Sequence, residues 1–423
     1  MHTRKALRRE LLVPMLLLLV TASLPMHAWA QAEPALTVRV SCGTAQTIAR
    51  ALRQGDERKP LVVVVDGTCT ENVVVDRDDV TLVAGDGGGT VNGPDPNAST
   101  IAVIANRATI DGLTVTGGLN GIRGEGAKAM TIANCIVHNT GRNGIVFFRG
   151  TSGRVDTCTV QNNPRDGVSV ESSSASVVNS SVSHNARVGI NLTDGSSGRI
   201  GVDDSNGAAG NMITNNGSNG LHITIGSTAF VGANTISGNG ANPAAALGRF
   251  GINVINSTAD IIGLNTITAN ANHGIFARSS SLLVGDTNFG FSSVNTISGN
   301  GTAVPSSAGI FGFVGTSLVL RNATISGNNG FGVGLSLRSS AQMSGNTIQN
   351  TMGFPPTGDG IRLIFGSGLF IDPPPAAPNT VTGNSGWGLN CTDGEASVVN
   401  APLLIVAPPA NNLGGVSPAC TGF

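Results

Sequence analysis

Seven side chains in the second half of the chain are candidates for ligand contact: His222, Asn253, Phe276, Arg278, Phe311, Phe313 and Arg362. Phe rings suit stacking on sugars and the Arg fork suits carboxylates, so together they could recognise a polymer such as a polysaccharide. The same Phe residues would equally serve as a packing ladder between adjacent chain segments, and six lengthened loops nearby as plain surface drift. Acid–base chemistry on glycosidic bonds needs paired carboxylates or a base backed by Arg or calcium. On the face that carries the seven candidates the carboxylates are Glu125 and Glu171, two repeats apart. The chain has no Tyr, and beyond residue 30 its lysines are Lys59 and Lys128, so no catalytic residue is assigned.

Asp203, Asp204 and Asn206 form an oxygen-rich stretch that could take calcium, with a solvated turn as the plainer reading. No other cofactor is expected. His138 and His184 read as surface polar residues. The six cysteines fall into three local pairs, Cys42 with Cys69, Cys135 with Cys158, and Cys391 with Cys420, a disulfide pattern expected of an oxidising compartment.

What must position these residues is an internal repeat. A Gly followed by an aliphatic residue recurs at Gly121, Gly144, Gly167, Gly189, Gly220, Gly251, Gly274, Gly309, Gly332, Gly360 and Gly388. The shortest intervals are 22 and 23 residues, which suits a coil of three short strands that stacks on its predecessor. Upstream of these glycines runs a column of Asn134, Thr157, Ser180, Asn211, Asn234, Asn265, Asn295, Asn346 and Asn379, with Ala323 once. A second begins at Asn139, Asn162 and Asn185 and runs to Asn384. Asn tolerates the left-handed region and can bond its own copy in the next coil, so ladders at tight corners follow. After each Gly the first and third residues read inward and the second and fourth outward, and helical periodicity is absent. Cys135 and Cys158 share a register in consecutive coils, which makes a disulfide between them the expectation.

These features resemble the right-handed parallel β-helix of the pectin-lyase-like superfamily, over roughly Val40 to Asn400. The resemblance implies an all-β, single-stranded right-handed parallel β-helix of about eleven coils, whose Gly-aliphatic strand carries the ligand cleft on its outer face. It matches no specific enzyme family. Gly67-Thr68-Cys69-Thr70-Glu71 resembles the opening of pectin methylesterases with Cys in place of Tyr, but the aspartate motifs are missing. Asp203-Asp204 and Asn272-His273-Gly274 echo polygalacturonases without the first or last element of their series.

Residues 1–30 read as a signal peptide, with basic Arg4, Lys5, Arg8 and Arg9 before an apolar run and Ala28-Trp29-Ala30 before Gln31. The remainder divides into an N-terminal cap with first coils (31–100), repeats (101–400) and a C-terminal cap or tail (401–423). A short helix over Thr47 to Leu52 is expected to cover the first coil, since an open end exposes core and strand edges. Lys+Arg 24 against Asp+Glu 25 leaves no basic excess, which argues against a nucleic-acid partner, and no span in the mature chain suits a membrane. Loop insertions fall at Asn239 to Phe250, Gly301 to Ala308, Met352 to Asp359, Val202 to Gly210, Gly285 to Val294 and Asp372 to Pro378, where they could wall a groove. The expectation is a secreted or periplasmic protein that binds or acts on an extracellular or cell-wall polysaccharide. A polysaccharide lyase, hydrolase or epimerase with an unrecognised site, or an adhesive rod, are the alternatives.

Overall fold

The computed structural model describes residues 35–245, 248–285, 294–353, 358–393, 395–400, 403–405 and 411–420. The expected signal peptide and most of the expected loop at 285–294 lie outside the described residues, as do parts of the expected C-terminal tail. Almost every described element is a strand of three to seven residues, and every strand pairing is parallel. One turn of chain runs Ile145–Phe148, Ser152–Asp156, Thr159–Gln161, and the next runs Val168–Glu171, Ser174–Val178, Ser181–Ser183. The three strands of the first pair residue for residue with those of the second. The Gly-aliphatic strands form a sheet of fourteen strands among the described residues, from Val73–Val75 to Gly414–Val416. Eleven follow the glycines found in the sequence; Val73–Val75, Ile101–Val103 and Gly414–Val416 are additional.

Alternation builds the core. Ile145, Val168, Ile190, Leu221, Ile252 and Ile275 are stacked in register and fully buried. Two residues on, Phe147, Val170, Leu192, Ile223 and Val254 do the same. Burial of each such side chain contributes about 1.5–3 kcal/mol, so a coil needs no large aromatic centre to be held.

The corners are held by side-chain ladders. Cys135, Cys158, Ser180, Asn211, Asn234, Asn265 and Asn295 occupy one position in successive coils, each preceding a paired strand. Asn211 N donates to Asn234 Oδ1 (3.1 Å) and Asn234 N to Asn265 Oδ1 (3.0 Å), while the amide groups bond one another along the column. Asn134 and Thr157 do not belong to it. They stand one residue earlier, at the left-handed corner itself (φ 54° for each). The second ladder shows the same offset, because Asn139 and Asn162 take positive φ while Thr140 and Asn163 join Asn185, Asn216, Asn239, Asn270, Asn300 and Asn328. A third ladder, absent from the sequence reading, runs through Ser173, Ser196, Ser227, Ser257 and Ser280, with each hydroxyl after Ser173 accepting the amide of the serine in the coil before.

The marker glycines answer to close approach rather than to positive φ. A Cβ on Gly167 would lie 2.5 Å from Val182 Cγ1, 2.6 Å from Asn185 Nδ2 and 2.8 Å from the Gly189 carbonyl.

Two of the three expected disulfides are present, Cys42–Cys69 and Cys391–Cys420, and both suit an oxidising compartment. The third expectation is corrected: Cys135 and Cys158 are in register but are buried free thiols. Side chains in register on parallel strands run alongside one another at the strand spacing of about 4.8 Å, wider than the ~3.8 Å between the Cβ atoms of a disulfide. The Cys158 sulfur serves as a rung instead, accepting from Cys135 N at 3.4 Å, and Cys135 Sγ donates to the Ile110 carbonyl at 3.5 Å.

The expected short helix is Ile48–Ala51, with Thr47 Oγ1 accepting from Arg50 N at 3.1 Å. Its remaining N-terminal amides are taken by Glu71, whose carboxylate accepts from Ile48 N (2.8 Å) and Ala49 N (3.1 Å). Glu71, part of the esterase-like opening in the sequence, therefore has a structural role here. Ile48 and Ala51 are buried in the core cluster. No helix among the described residues is long and apolar enough to cross a membrane.

Candidate ligand-binding face

The outward column of the fourteen-stranded sheet reads Arg123, Val146, Ser169, Asn191, His222, Asn253, Phe276, Phe311, Gly334, Arg362 and Asn390, one residue per coil. A parallel column two residues on includes Glu125, Phe148, Glu171, Thr193, Thr224, Ile255, Arg278 and Phe313. All seven candidate residues thus sit on one face. Their accessibility differs: His222 and Asn253 are 5% and 1% exposed, Phe276, Phe311, Phe313 and Arg362 are half-buried, and Arg278 is exposed.

The residue before each marker glycine leads into this face, and at Asp166, Phe250, His273, Phe331 and Asp359 its side chain meets the outward column. This residue is Asn120, Asn143, Asp166, Val188, Asn219, Phe250, His273, Ala308, Phe331, Asp359 and Trp387 in successive coils. Several of its side chains accept the amide of the next coil: Asn143 Oδ1 from Asp166 N (3.1 Å), Asn219 Oδ1 from Phe250 N (3.0 Å), His273 Nδ1 from Ala308 N (2.7 Å) and Asp359 Oδ1 from Trp387 N (2.8 Å). The insertion ending at Phe250 thereby brings that ring onto Phe276 (centroids 4.7 Å apart), and His273 stacks on Phe311 (5.0 Å). Phe311 and Phe313 continue the stack at 6.1 Å. The Phe residues therefore contact one another, with much of their ring surface turned to neighbouring rings.

Sequence reasoning missed the acidic group. Asp166 is 1% exposed and holds Arg187 through both carboxylate oxygens, with Nε at 2.6 Å from Oδ1. Asn191 Nδ2 donates to Asp166 Oδ2 at 3.4 Å. Burial works against the Arg187 cation, but the bonds and charge of Asp166 outweigh it and hold its pKa above the usual value. Burial pushes His222 down to about 4, against the attraction of Asp166, so the ring is neutral near pH 7. His273, half-buried among rings, is pushed down by desolvation to about 3. His222 Nδ1 and Asn191 Oδ1 have no partner among the described residues. Buried Asp166, Asn191 and His222 thus form, with half-buried Arg187, one polar group spanning successive coils. Its signal in the sequence is an ionisable residue in the column one place before the glycine, outside the alternating strand positions.

At the other end, Asp359 is fully buried, accepts from Asn390 Nδ2 (2.9 Å) and lies 3.8 Å from Arg362 NH1. Desolvation raises its pKa above the usual carboxylate value. The Arg362 guanidinium lies 4.9 Å over the Phe331 ring.

Of the three calcium candidates, Asp203 is bonded within its own turn and the other two face arginines. Asp203 Oδ1 accepts from Ser205 N, Ser205 Oγ and Gly207 N, Asn206 Oδ1 accepts from Arg199 at 2.8 Å, and Asp204 points to solvent beside Arg154. That geometry is an Asx turn, and no cluster of three or more metal-ligating side chains occurs among the described residues.

Compared with solved structures, the chain is similar to the A-module of a mannuronan C-5 epimerase from Azotobacter vinelandii, with 15% identity, a TM-score of 0.53, and coverage of 89% of this chain and 93% of that one. That likeness concerns the fold alone. A cell surface glycoprotein of Methanothermus fervidus is 32% identical over 90 residues, 21% of this chain and 15% of that relative. The chain therefore spans a small part of that relative's length. A family model described as the right handed beta helix region matches residues 90–206 and 282–401. With parallel three-strand coils, stacked aliphatic columns and corner ladders over the same residues, the chain belongs to the right-handed β-helix family.

Proposed function

We propose that the protein is exported and binds an extracellular or cell-wall polysaccharide along the outer face of its fourteen-stranded sheet. The observation that carries this reading is the pair of outward columns. They place amides, hydroxyls, arginines and ring edges at the same two positions coil after coil, so the surface is linear and repetitive, as a polysaccharide is. Arg278 is exposed, and its guanidinium has no partner among the described residues. The edges of Phe276, Phe311 and Phe313 flank it, with His222, Asn253 and Arg362 supporting the column. The disulfides and the expected signal peptide favour an oxidising, extracytoplasmic location. The epimerase that shares the fold is named for action on mannuronan, and the partial relative is named as a cell surface protein, which agrees in kind.

A second reading, an enzyme acting on the same polymer, is favoured by the Asp166, Arg187, Asn191 and His222 cluster, where ionisable groups meet on that face. One experiment separates the readings. The mature protein is mixed with acidic and neutral polysaccharides, and protein elution and polymer length are followed by size-exclusion chromatography. Co-elution with polymer of unchanged length is the expected result. Shortened polymer that survives in an Arg278→Gln variant but is lost in His222→Asn would favour the enzyme. No co-elution with any polymer would leave an adhesive rod as the better account.

A further inference from the structure

We infer that the upstream end of this face takes an anionic glycan, whose charged groups lie along a row of arginines in successive coils. The inference rests on the reading of the face as a polysaccharide surface and assigns that ligand its chemistry. Arg142, Arg165 and Arg187 stand at the same turn position of three consecutive coils, with Arg165 N bonded to the Arg142 carbonyl at 2.8 Å and Arg187 N to the Arg165 carbonyl at 3.0 Å. Their backbones are therefore one strand spacing apart, about 4.8 Å. Three like charges stacked this closely repel unless something neutralises them. Asp166 neutralises Arg187. The side chains of Arg142 and Arg165 have no hydrogen-bond or ion-pair partner among the described residues. Burial, and then the charges of Arg187 and Arg142, weaken the Arg165 cation.

The space beside the row has a matching character. A concavity of about 290 Å³ is lined by Arg123, Arg142, Asn120, Asn143, Phe148 and Glu171. Phe148 does not offer a stacking platform there, since Arg123 lies 4.7 Å from its centroid and Arg149 4.8 Å. Glu125 bridges those two arginines at 3.0 and 3.2 Å and offsets one of their two charges. Asp166 and Glu171 attract Arg165, but Asp166 is bonded to Arg187 and Glu171 is a single carboxylate beside Arg142 and Arg165, so positive charge is in excess along the row, with Arg142 in the lining of the concavity. Guanidinium forks in a row, spaced along the helix axis, suit a linear ligand with repeated carboxylate or sulfate groups. The chain's even balance of 24 basic and 25 acidic residues does not suit a nucleic acid held by bulk phosphate neutralisation.

The test uses the full mature protein with polygalacturonate, dextran sulfate and neutral dextran as probes, by affinity electrophoresis at two salt concentrations. The variants are Arg142→Gln/Arg165→Gln and a charge-matched control remote from the face, Arg53→Gln/Arg58→Gln. Retention by polygalacturonate that weakens with salt, falls at least tenfold in the row variant and is unchanged in the control is the expected result. Retention by dextran sulfate alone, lost in the row variant, supports the row and assigns sulfate as the bound group. If the row variant keeps native circular dichroism and binds as the parent does, or if dextran binds as well as the anionic polymers, the anionic assignment fails while the glycan face stands. If the parent binds no glycan at all, the underlying reading fails and the inference with it.

Discussion

His222 and His273 show how placement on an outer face differs from contact with water. Both are polar by sequence and outward or corner residues by register, yet desolvation keeps them neutral to about pH 4 and about pH 3. An unfolded chain protonates both near 6.5, so below that pH the unfolded state binds more protons than the native one. Stability is therefore full above 6.5 and falls as the pH drops toward 4, each histidine contributing up to about 1.4 kcal/mol per pH unit. Asp359 acts in the opposite sense, because its raised pKa gives a contribution present in acid and lost as pH rises above 3.8. Denaturant unfolding of His222→Gln at pH 6.5 and 4.5 checks this. Its stability is expected to drop less than the parent's over that interval, and an equal drop would mean that His222 is protonated in the native state. The Cys pair gives a second residue-level expectation. A thiol reagent should label no cysteine in the native protein and two per chain in denaturant without reductant. None in denaturant would show that Cys135 and Cys158 are joined.

At the scale of the element, the ladders carry the corners. Asn239 accepts from Asn216 N and Nδ2 and donates to Asn270 Oδ1 and the Ile213 carbonyl. Asn239→Ala leaves buried donors and acceptors unpaired, and a loss of about 2–5 kcal/mol in chemical unfolding is expected, against under about 0.5 for the exposed Asn162→Asp, which the left-handed corner tolerates. Gly167→Ala, which forces a Cβ against the next coil, is expected to lose about 1–3 kcal/mol in the same assay. The repeat was legible because both devices recur every coil. Their register at the corners was legible only to within one residue, since Asn serves both the left-handed corner, as at Asn162, and the buried rung beside it, as at Asn163. That same offset hid the fact that Cys135 and Cys158 fill rung positions. The aromatic stack and the Asp166 group were obscured for another reason. Alternation runs along the strand after each glycine, whereas Phe250, His273, Asp166 and the arginine row precede it, in turns whose direction a strand pattern does not specify.

For the whole molecule, the parallel stack makes stability quasi-one-dimensional, since each coil touches mainly the coils on either side. The middle coils are sealed by neighbours on both sides, so the ends are where opening starts. The two disulfides are placed there: Cys42–Cys69 joins the segment after the first strand, Leu36–Ser41, to the strand Leu61–Thr70, and Cys391–Cys420 ties the end of Trp387–Cys391 to the C-terminal segment. Each closes a loop of 27 or 29 residues, for which the chain-entropy account gives about 3–4 kcal/mol. In a two-state globule that loss would be felt everywhere. In a stack it should stay local until the end coils have opened. Hydrogen exchange on the reduced and alkylated protein is therefore expected to rise in segments before about residue 100 and after about residue 385, while the Asn216 to Asn328 ladder keeps its protection. Uniform loss of protection along the chain would show that the coils unfold as one cooperative body and that the end disulfides stabilise all of it together.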